Sequence, residues 1–354
     1  MVHVGIDLHQ KTCFLHALDD QTGEICLDQD VPSERQALLD CLEPLRERGE
    51  LRLIIEACGF AGYWWDQLDP LGEVVAVHPK HIKDYKGNKR KNDRRDAAFL
   101  VALSQLNRLP RAYLGSTAER DLKDLLRYRV GLVRIQTRLR VRLRNVAQRY
   151  GTVLAASDVD SAKARRLWQE WELRATHRLL VDQLLSVLDE IGRKRAVIEE
   201  QILAAARPDR RVQLLDTLPG LDYFGALLAA VEIGDWQRFS RGDAVACFAG
   251  LVPRESASGG HIQRGKITKE GSPYLRWIMV QAALHADKSP RLKRLHERVA
   301  KRRGPMQARV AVAREMLVIA WHMLRDDKPY EERAPRESGG RPTSSGKPES
   351  PLTQ

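Results

Sequence analysis

Five short runs rich in Val, Ile and Leu fall within the first 78 residues, and their spacing is what most limits the fold. "VHVGID", "TCFLHALD" and "ICLDQDV" follow one another across the short turns "LHQK" and "DQTGE". Connections that short join antiparallel neighbours, since a parallel crossover needs a dozen or more residues. "LRLIIEA" comes only after a helical pattern, "SERQALLDCLEPLRER", for which Ser33 is the expected cap; "EVVAVH" follows a second helical stretch around "GYWWDQLDPLG". Three meandering strands and then alternating helix and strand predict an α/β domain with a mixed sheet.

Two of these strands end in an acid. Asp7 closes "VGID" and Glu56 closes "LIIE", each interrupting an apolar run where a charge is costly. If the two strands are neighbours, the two carboxylates lie side by side at one end of the sheet. A further pair stands in "KNDRRDAAFL", where Asp93 and Asp96 open a helix that Asn92 or Asp93 can cap and whose apolar stripe is Ala97, Leu100, Val101 and Leu103. Like charges at that spacing cost a few tenths of a kcal/mol, partly offset by the helix dipole. Taken alone, the pair reads as a charged first turn beside Lys and Arg; the sharper reading is a pair neutralised by a divalent cation. Packed across the sheet end, this helix would bring Asp93 and Asp96 to Asp7 and Glu56. Four unpaired acids repel, whereas two Mg²⁺ ions about 4 Å apart would be held and would serve phosphoryl transfer. Lys89, Arg90, Lys91, Arg94 and Arg95 could then hold a nucleic-acid backbone over the metals.

The charge balance fits such a partner. The chain of 354 residues has 59 Lys and Arg against 47 Asp and Glu, net +12. Residues 80–95 alone carry net +6 and residues 119–149 net +7, so the excess is concentrated there. The second segment has an apolar seam at Leu122, Leu125, Val130, Leu132, Val133, Leu139 and Leu143. Another helical stretch, over about 175–206, has Leu180, Leu184, Leu188, Ile191, Ile198 and Ile202 along one stripe. The two predict an antiparallel coiled-coil arm whose cations, Arg134, Arg138 and Arg142 among them, suit phosphates; a solvated arginine-rich helix without a ligand is the plainer reading.

Residues 212–325 predict a mainly α region, interrupted by a Ser/Gly-rich loop and a basic, hairpin-like stretch. Around Gly220 the Pro-Gly amides could approach a phosphate, or could be plain architecture. From Asp326 onward the composition, rich in Pro, Gly, Ser and charge, predicts a disordered tail. Five cysteines without a CxxC pair read as reduced core residues, and His78 and His81 lack further ligands for a zinc site. No stretch resembles a signal peptide or spans a bilayer, so a soluble, cytoplasmic protein without a membrane partner is expected.

"GIDLHQKT", "IIEACG" and "KNDRRDA", in this order and spacing, resemble the RNase H-like, RuvC-type catalytic domain of Asp-Glu-Asp-Asp transposases. "LPGLDYFGALLAAVEIGD", "FAGLVPRESASGG" and "GKITKEGSPYLR" resemble the C-terminal domain of the same group, the insertion-sequence 110/1111 family. The resemblance implies a RuvC-like domain over 1–115, a helical arm over 116–210, a serine-containing transposase domain over 211–325 and a tail over 326–354. It matches Asp7, Glu56, Asp93 and Asp96 to the family's acidic tetrad, holding Mg²⁺ or Mn²⁺. It also matches Ser258, before Gly259 and Gly260, to the catalytic serine, with Ser256 as the alternative. Arg254, Arg264, Lys266 and Lys269 would steady charge on the DNA phosphate as that serine forms a covalent link to DNA. Further implied are DNA of the element's ends and of its target, a structured non-coding guide RNA, a homodimer or homotetramer, and action at the nucleoid.

Other functions share parts of the pattern. A sugar-kinase or actin-like ATPase has the same topology, but no Gly-rich second phosphate loop is visible and the basic excess is unneeded. A plain junction-resolving nuclease leaves the serine loop unexplained, and a non-enzymatic scaffold would use the four acids only as caps.

Overall fold

The computed structural model describes residues 1–86, 92–154, 158–258 and 261–332, and of residues 83–86, 255–258 and 261–264 it describes the backbone alone. The three N-terminal strands, β1 (Val2–Leu8), β2 (Thr12–Asp19) and β3 (Ile25–Pro32), form the expected antiparallel meander. On the other side of β1, β4 (Leu51–Glu56) and then β5 (Glu73–Val77) pair in parallel, giving the order β3-β2-β1-β4-β5. Thus β1 is central, and all its residues are buried.

The helices of this unit depart from expectation in two places. Ser33 does not cap α1 (Arg35–Leu42): Glu34 is the cap residue, with no side-chain bond, and the Ser33 hydroxyl donates instead to the His9 carbonyl at 2.7 Å. After α2 (Ala61–Leu68) and β5, the stretch read as a basic connection begins with a helix, α3 (Pro79–Lys86). Its buried Ile82 packs with Ile54, Val75, Val77 and Leu100; one apolar anchor is too little for a periodic signal.

Helix α4 (Asp93–Gln105) is capped by Asn92, whose Oδ1 accepts from the Arg95 amide at 3.4 Å, and all four residues of its expected stripe are buried. It lies directly on β1. A Cβ on Gly5 would come within 2.1 Å of the Ala97 carbonyl oxygen, so only glycine admits so close an approach. At the far end of the helix, buried His3 Nδ1 and Ser104 Oγ are 2.7 Å apart. Residues 3, 5 and 7 of the strand therefore meet progressively earlier residues of the helix, which runs antiparallel to β1 and brings its N-terminus to Asp7.

The chain divides into two compact units, Met1–Asp124 and Leu125–Gln354, with helix α5 (Thr117–Gln148) beginning in the first and continuing in the second. In the second unit α6 (Ala162–Glu170) and α7 (Ala175–Ala206) follow. Arg129 pairs with Glu199, Gln136 with Arg195, and beyond the end of α5 Tyr150 with His177, so α5 and α7 run antiparallel. The buried stripe of α7 runs through Val181, Leu184, Leu188, Ile191 and Ile202, whereas Leu180, expected on it, is 39% exposed. On α5 it is Leu126 that is buried, with Leu122 and Leu125 half-buried beside it.

Three more helices, α8 (Arg210–Leu215), α9 (Tyr223–Ile233) and α10 (Gly242–Phe248), precede a two-stranded hairpin of β6 (Pro253–Ser258) and β7 (His261–Ile267). Then come α11 (Pro273–Ala282), α12 (Pro290–Arg303) and α13 (Pro305–Asp326). Helix α9 is buried from Phe224 to Ile233. Its one charge, Glu232, accepts from Arg127 Nε at 2.9 Å and from the Ser272 hydroxyl at 2.8 Å, and Ser272 also caps α11. Gly220 has φ +91, and a Cβ there would stand 2.3 Å from the Ala282 carbonyl oxygen; the face once open to a phosphate is filled by α11.

The tail, expected to lack structure from Asp326, is held as far as Glu332. Asp326 ends α13, the Tyr330 amide donates to Thr217 Oγ1 at 2.8 Å, and Glu332 accepts from the Ser289 hydroxyl and the Arg291 amide, both at 2.7 Å. Composition reads flexibility but not these partners, which lie far back in the chain. The cysteines are all free, yet only Cys13 is buried and Cys58 and Cys247 are exposed, so they are not uniformly core residues. None of the described helices is long and apolar enough to cross a membrane.

Substituting Gly5→Ala is expected to destabilise the protein by ~1–3 kcal/mol and to move α4 away from β1. Chemical denaturation measures the first effect, and hydrogen exchange of the α4 amides the second.

Candidate metal centre and cationic surfaces

The register of the central strands settles where the first two acids lie. Ile6 pairs with Ile55 in the parallel β1–β4 ladder, so the next residues, Asp7 and Glu56, stand side by side where the two strands end. The seating of α4 on Gly5 adds Asp93 and Asp96 from the first turn of that helix. Asp7 is only 7% exposed. Burial raises its carboxyl above the usual range; His9 opposes this, while the charges of Asp93, Glu56 and Asp96 push it further up. All four acids therefore share one electrostatic neighbourhood.

His9, not singled out in the sequence, belongs to the same cluster. Its Nε2 is 3.4 Å from Asp7 Oδ2 and 3.6 Å from Asp93 Oδ1, and one ligand atom from each residue lies within 4.8 Å of the others. Asp7 Oδ2 and His9 Nε2 are both buried without a hydrogen-bond partner. A buried carboxylate oxygen with no donor, close to Asp93 and within the electrostatic reach of Glu56 and Asp96, suits a cation, and hard carboxylate oxygens suit a divalent one. No local signal singled out His9, which follows the end of β1 at Leu8 and gains its meaning from Asp93, far along the chain.

The cations expected around this centre separate into groups. Lys89, Arg90 and Lys91 lie outside the described residues. Arg94 pairs with Asp28, a carboxyl that burial would raise but that hydrogen bonds from His16 and Arg94 hold below the usual range. Arg95 is exposed. On α5, Arg127, Arg129 and Arg140 are bound to Glu232, Glu199 and Asp160, whereas Arg134, Arg138 and Arg142 are exposed at intervals of four along one face. Arg134 also lies over the Tyr274 ring, 5.5 Å from its centre.

In the second unit Ser258 is the last residue of β6, opposite His261 across the hairpin, and Ser256 stands opposite Gln263. Gly259 and Gly260 lie outside the described residues, and the side chains of Ser256, Ser258 and Arg264 are likewise not among those described. Arg254 is exposed at the base of the hairpin. Beside the hairpin runs a groove of about 910 Å³ between β7, α12 and α13. Lys266 and Lys269 line it, together with three exposed arginines not anticipated from the sequence, Arg298, Arg302 and Arg303. Its acids are already engaged, Asp243 by Arg314 and Glu315 by Arg291, so among the described residues lining the groove no free acid offsets the five cations. The basic end of "RLHERVAKRR" was the available signal.

Known proteins match both units. Residues 4–152 match the family model of DEDD-type IS110 transposases, described as transposase, and residues 212–299 match the model described as transposase IS116/IS110/IS902 family. A probable family 20 transposase of Pseudomonas aeruginosa is 27% identical over 92% of this chain and 98% of its own. The transposase for insertion sequence element IS1111A of Coxiella burnetii is 29% identical over 78% of this chain and 79% of its own. The pilin gene-inverting protein of Moraxella lacunata is 25% identical over 94% of this chain and 98% of its own. The first model covers the acid-bearing unit and runs on through α5, the second covers most of the hairpin-bearing region, in the order in which the motifs occur, and the chain belongs to the IS110/IS1111 family of transposases, enzymes that cut and transfer DNA strands.

Proposed function

We propose that this transposase recombines the ends of a mobile insertion sequence with target DNA, using a divalent metal held by Asp7, Glu56, Asp93 and Asp96 and a serine nucleophile, Ser258. The observation that carries the reading is the buried Asp7 oxygen without a donor, set among three further acids. Mg²⁺ or Mn²⁺ held by these acids would supply Lewis-acid stabilisation of charge on a DNA phosphate. Asp7 and Glu56 orient their carboxylates from two rigid strands, and Asp93 and Asp96 from a helix fixed to one of them, so little reorganisation accompanies the reaction.

Ser258 Oγ attacks a DNA phosphorus and loses its proton to solvent; the bond from phosphorus to the sugar oxygen breaks, and that oxygen takes up a proton. The resulting serine–DNA ester is resolved when a sugar hydroxyl of another strand attacks the same phosphorus and frees the serine. The position of Ser258 at the closing pair of a hairpin supports this role, since a hairpin end can reach into a nucleic-acid groove. The cations of the neighbouring groove, with Arg254 and Arg264, would hold the strand's phosphates. The Moraxella relative's description as a gene-inverting protein agrees with cleavage coupled to rejoining.

The first unit is an RNase H-like domain of RuvC type in this reading, and α5 and α7 form a coiled-coil arm. Arg134, Arg138 and Arg142 suit the backbone of a structured guide RNA, which A-form helices present without sequence readout. The protein acts as a homodimer or homotetramer in the cytoplasm, on nucleoid DNA.

A plasmid recombination assay in cells, with the element's ends, its flanking non-coding DNA and a target, tests the whole reading. Wild type is expected to recombine, and Asp93→Ala and Ser258→Ala to fall at least ~100-fold; survival of Asp93→Ala returns that residue to helix capping, and survival of Ser258→Ala alone moves the nucleophile to Ser256 or to water. Because the raised Asp7 carboxyl contributes stability at acid pH that is lost as pH rises through its folded-state value, Asp7→Asn should raise Tm in chelator at neutral pH. The same variant should lose the Tm gain that wild type draws from millimolar Mg²⁺ or Mn²⁺. For the groove, Arg302→Ala with Arg303→Ala should lower the slope of DNA affinity against salt by roughly two phosphate contacts, read by fluorescence anisotropy across a salt series.

A further inference from the structure

We infer that His9 is a nitrogen ligand of the metal held by Asp7 and Asp93, and that it tilts the site toward Mn²⁺ over Mg²⁺. The inference rests on the proposed metal centre and concerns which ion that centre prefers.

Three observations converge on His9. Its Nε2 and Asp7 Oδ2 are 3.4 Å apart and buried, yet neither has a hydrogen-bond partner, so the two atoms are close without being aligned on each other. Two ligand atoms facing a common third point have this relation. The spans from Nε2 to Asp7 Oδ2 and to Asp93 Oδ1, 3.4 and 3.6 Å, match the edge between neighbouring ligands of one ion. With bonds of ~2.1 Å such edges are ~3.0 Å in an octahedron and ~3.4 Å in a tetrahedron. Finally, the backbone at His9 is pinned: the Ser33 hydroxyl donates to its carbonyl at 2.7 Å, and the Ser33 amide donates to the Lys11 carbonyl at 2.9 Å. The turn is therefore fixed to the end of β3, and the imidazole needs no large search to reach the carboxylates.

The chemistry follows from the donor set. Mg²⁺ demands oxygen ligands in near-octahedral geometry and sheds water reluctantly, whereas imidazole suits later, softer divalent ions. Mn²⁺ accepts a mixed nitrogen and oxygen set without losing affinity for the acids. Neutral imidazole also adds a ligand without a fifth negative charge to a cluster already strained by four.

Metal-free full-length protein, titrated calorimetrically with Mn²⁺ alone and Mg²⁺ alone, tests this without any turnover. Wild type should prefer Mn²⁺, and its Mn²⁺ complex should show ¹⁴N modulation by pulsed electron paramagnetic resonance. His9→Ala should weaken Mn²⁺ by at least ~10-fold and lose the modulation. His9→Asp guards against simple misfolding: it should still bind metal, but with the preference shifted toward Mg²⁺. Wild-type binding with no nitrogen modulation and with unchanged affinity in His9→Ala would overturn the role of His9 and leave the acidic site standing. Binding of neither ion by wild type would overturn both.

Discussion

The contact between Gly5 and the Ala97 carbonyl is the constraint on which the acidic centre depends. Absence of a side chain at the middle of β1 lets α4 rest on the strand backbone, and the His3–Ser104 pair holds the opposite end of the helix to the same strand. Two fastenings along one strand fix the translation of the helix as well as its rotation. The first turn, with Asp93 and Asp96, can then stand only where β1 ends, beside Asp7. Apolar packing elsewhere on the helix, through Ala97, Leu100, Val101 and Leu103, supplies the favourable free energy that a cluster of like charges takes away.

Electrostatics in the rest of the molecule divides into charges spent internally and charges left outward. A count of residues 119–149 suggests an arm made for a polyanion. Several of its arginines, however, are bound to acids distant in sequence, and half-buried Arg127 reaches Glu232, which would otherwise be a buried unpaired charge. What remains is narrower and better defined: Arg134, Arg138 and Arg142 along one face of α5, and the cations of the groove beside the hairpin. The groove shows the same division, since its two acids are already engaged by arginines.

The antiparallel meander was legible because short connections are a local property, and the neighbouring acids followed once β1 and β4 were taken as neighbours; β1, β2 and β5 themselves are buried almost continuously and carry no period-two signal. Helix α4 was legible from its cap and stripe. His9 was not, because its meaning comes from Asp93, far along the chain, and a single His after an Asp carries little by itself. Helix α3 was missed for want of apolar repeats, and Ser33 was taken for a cap because its actual acceptor, the His9 carbonyl, lies across the sheet end. On α7 the choice of Leu180 over Val181 shows the limit of counting apolar residues where a helix carries them on two sides; only the packing against α5 decides which side is inward. Arg298, Arg302 and Arg303 were not anticipated, because nothing local in the sequence tells that the hairpin lies beside that helix end.

The short segment after α13 has a consequence for how the protein is made. Tyr330 and Glu332 fasten Thr217, Ser289 and the first turn of α12, so a stretch translated after all of these completes their hydrogen bonding. At ~5–20 residues per second the ribosome finishes α12, which Ser289 caps, seconds before Glu332 exists. Until then the Ser289 hydroxyl and the Arg291 amide lack the carboxylate acceptor that they have in the folded chain, so the start of α12 is completed from the far side of α13.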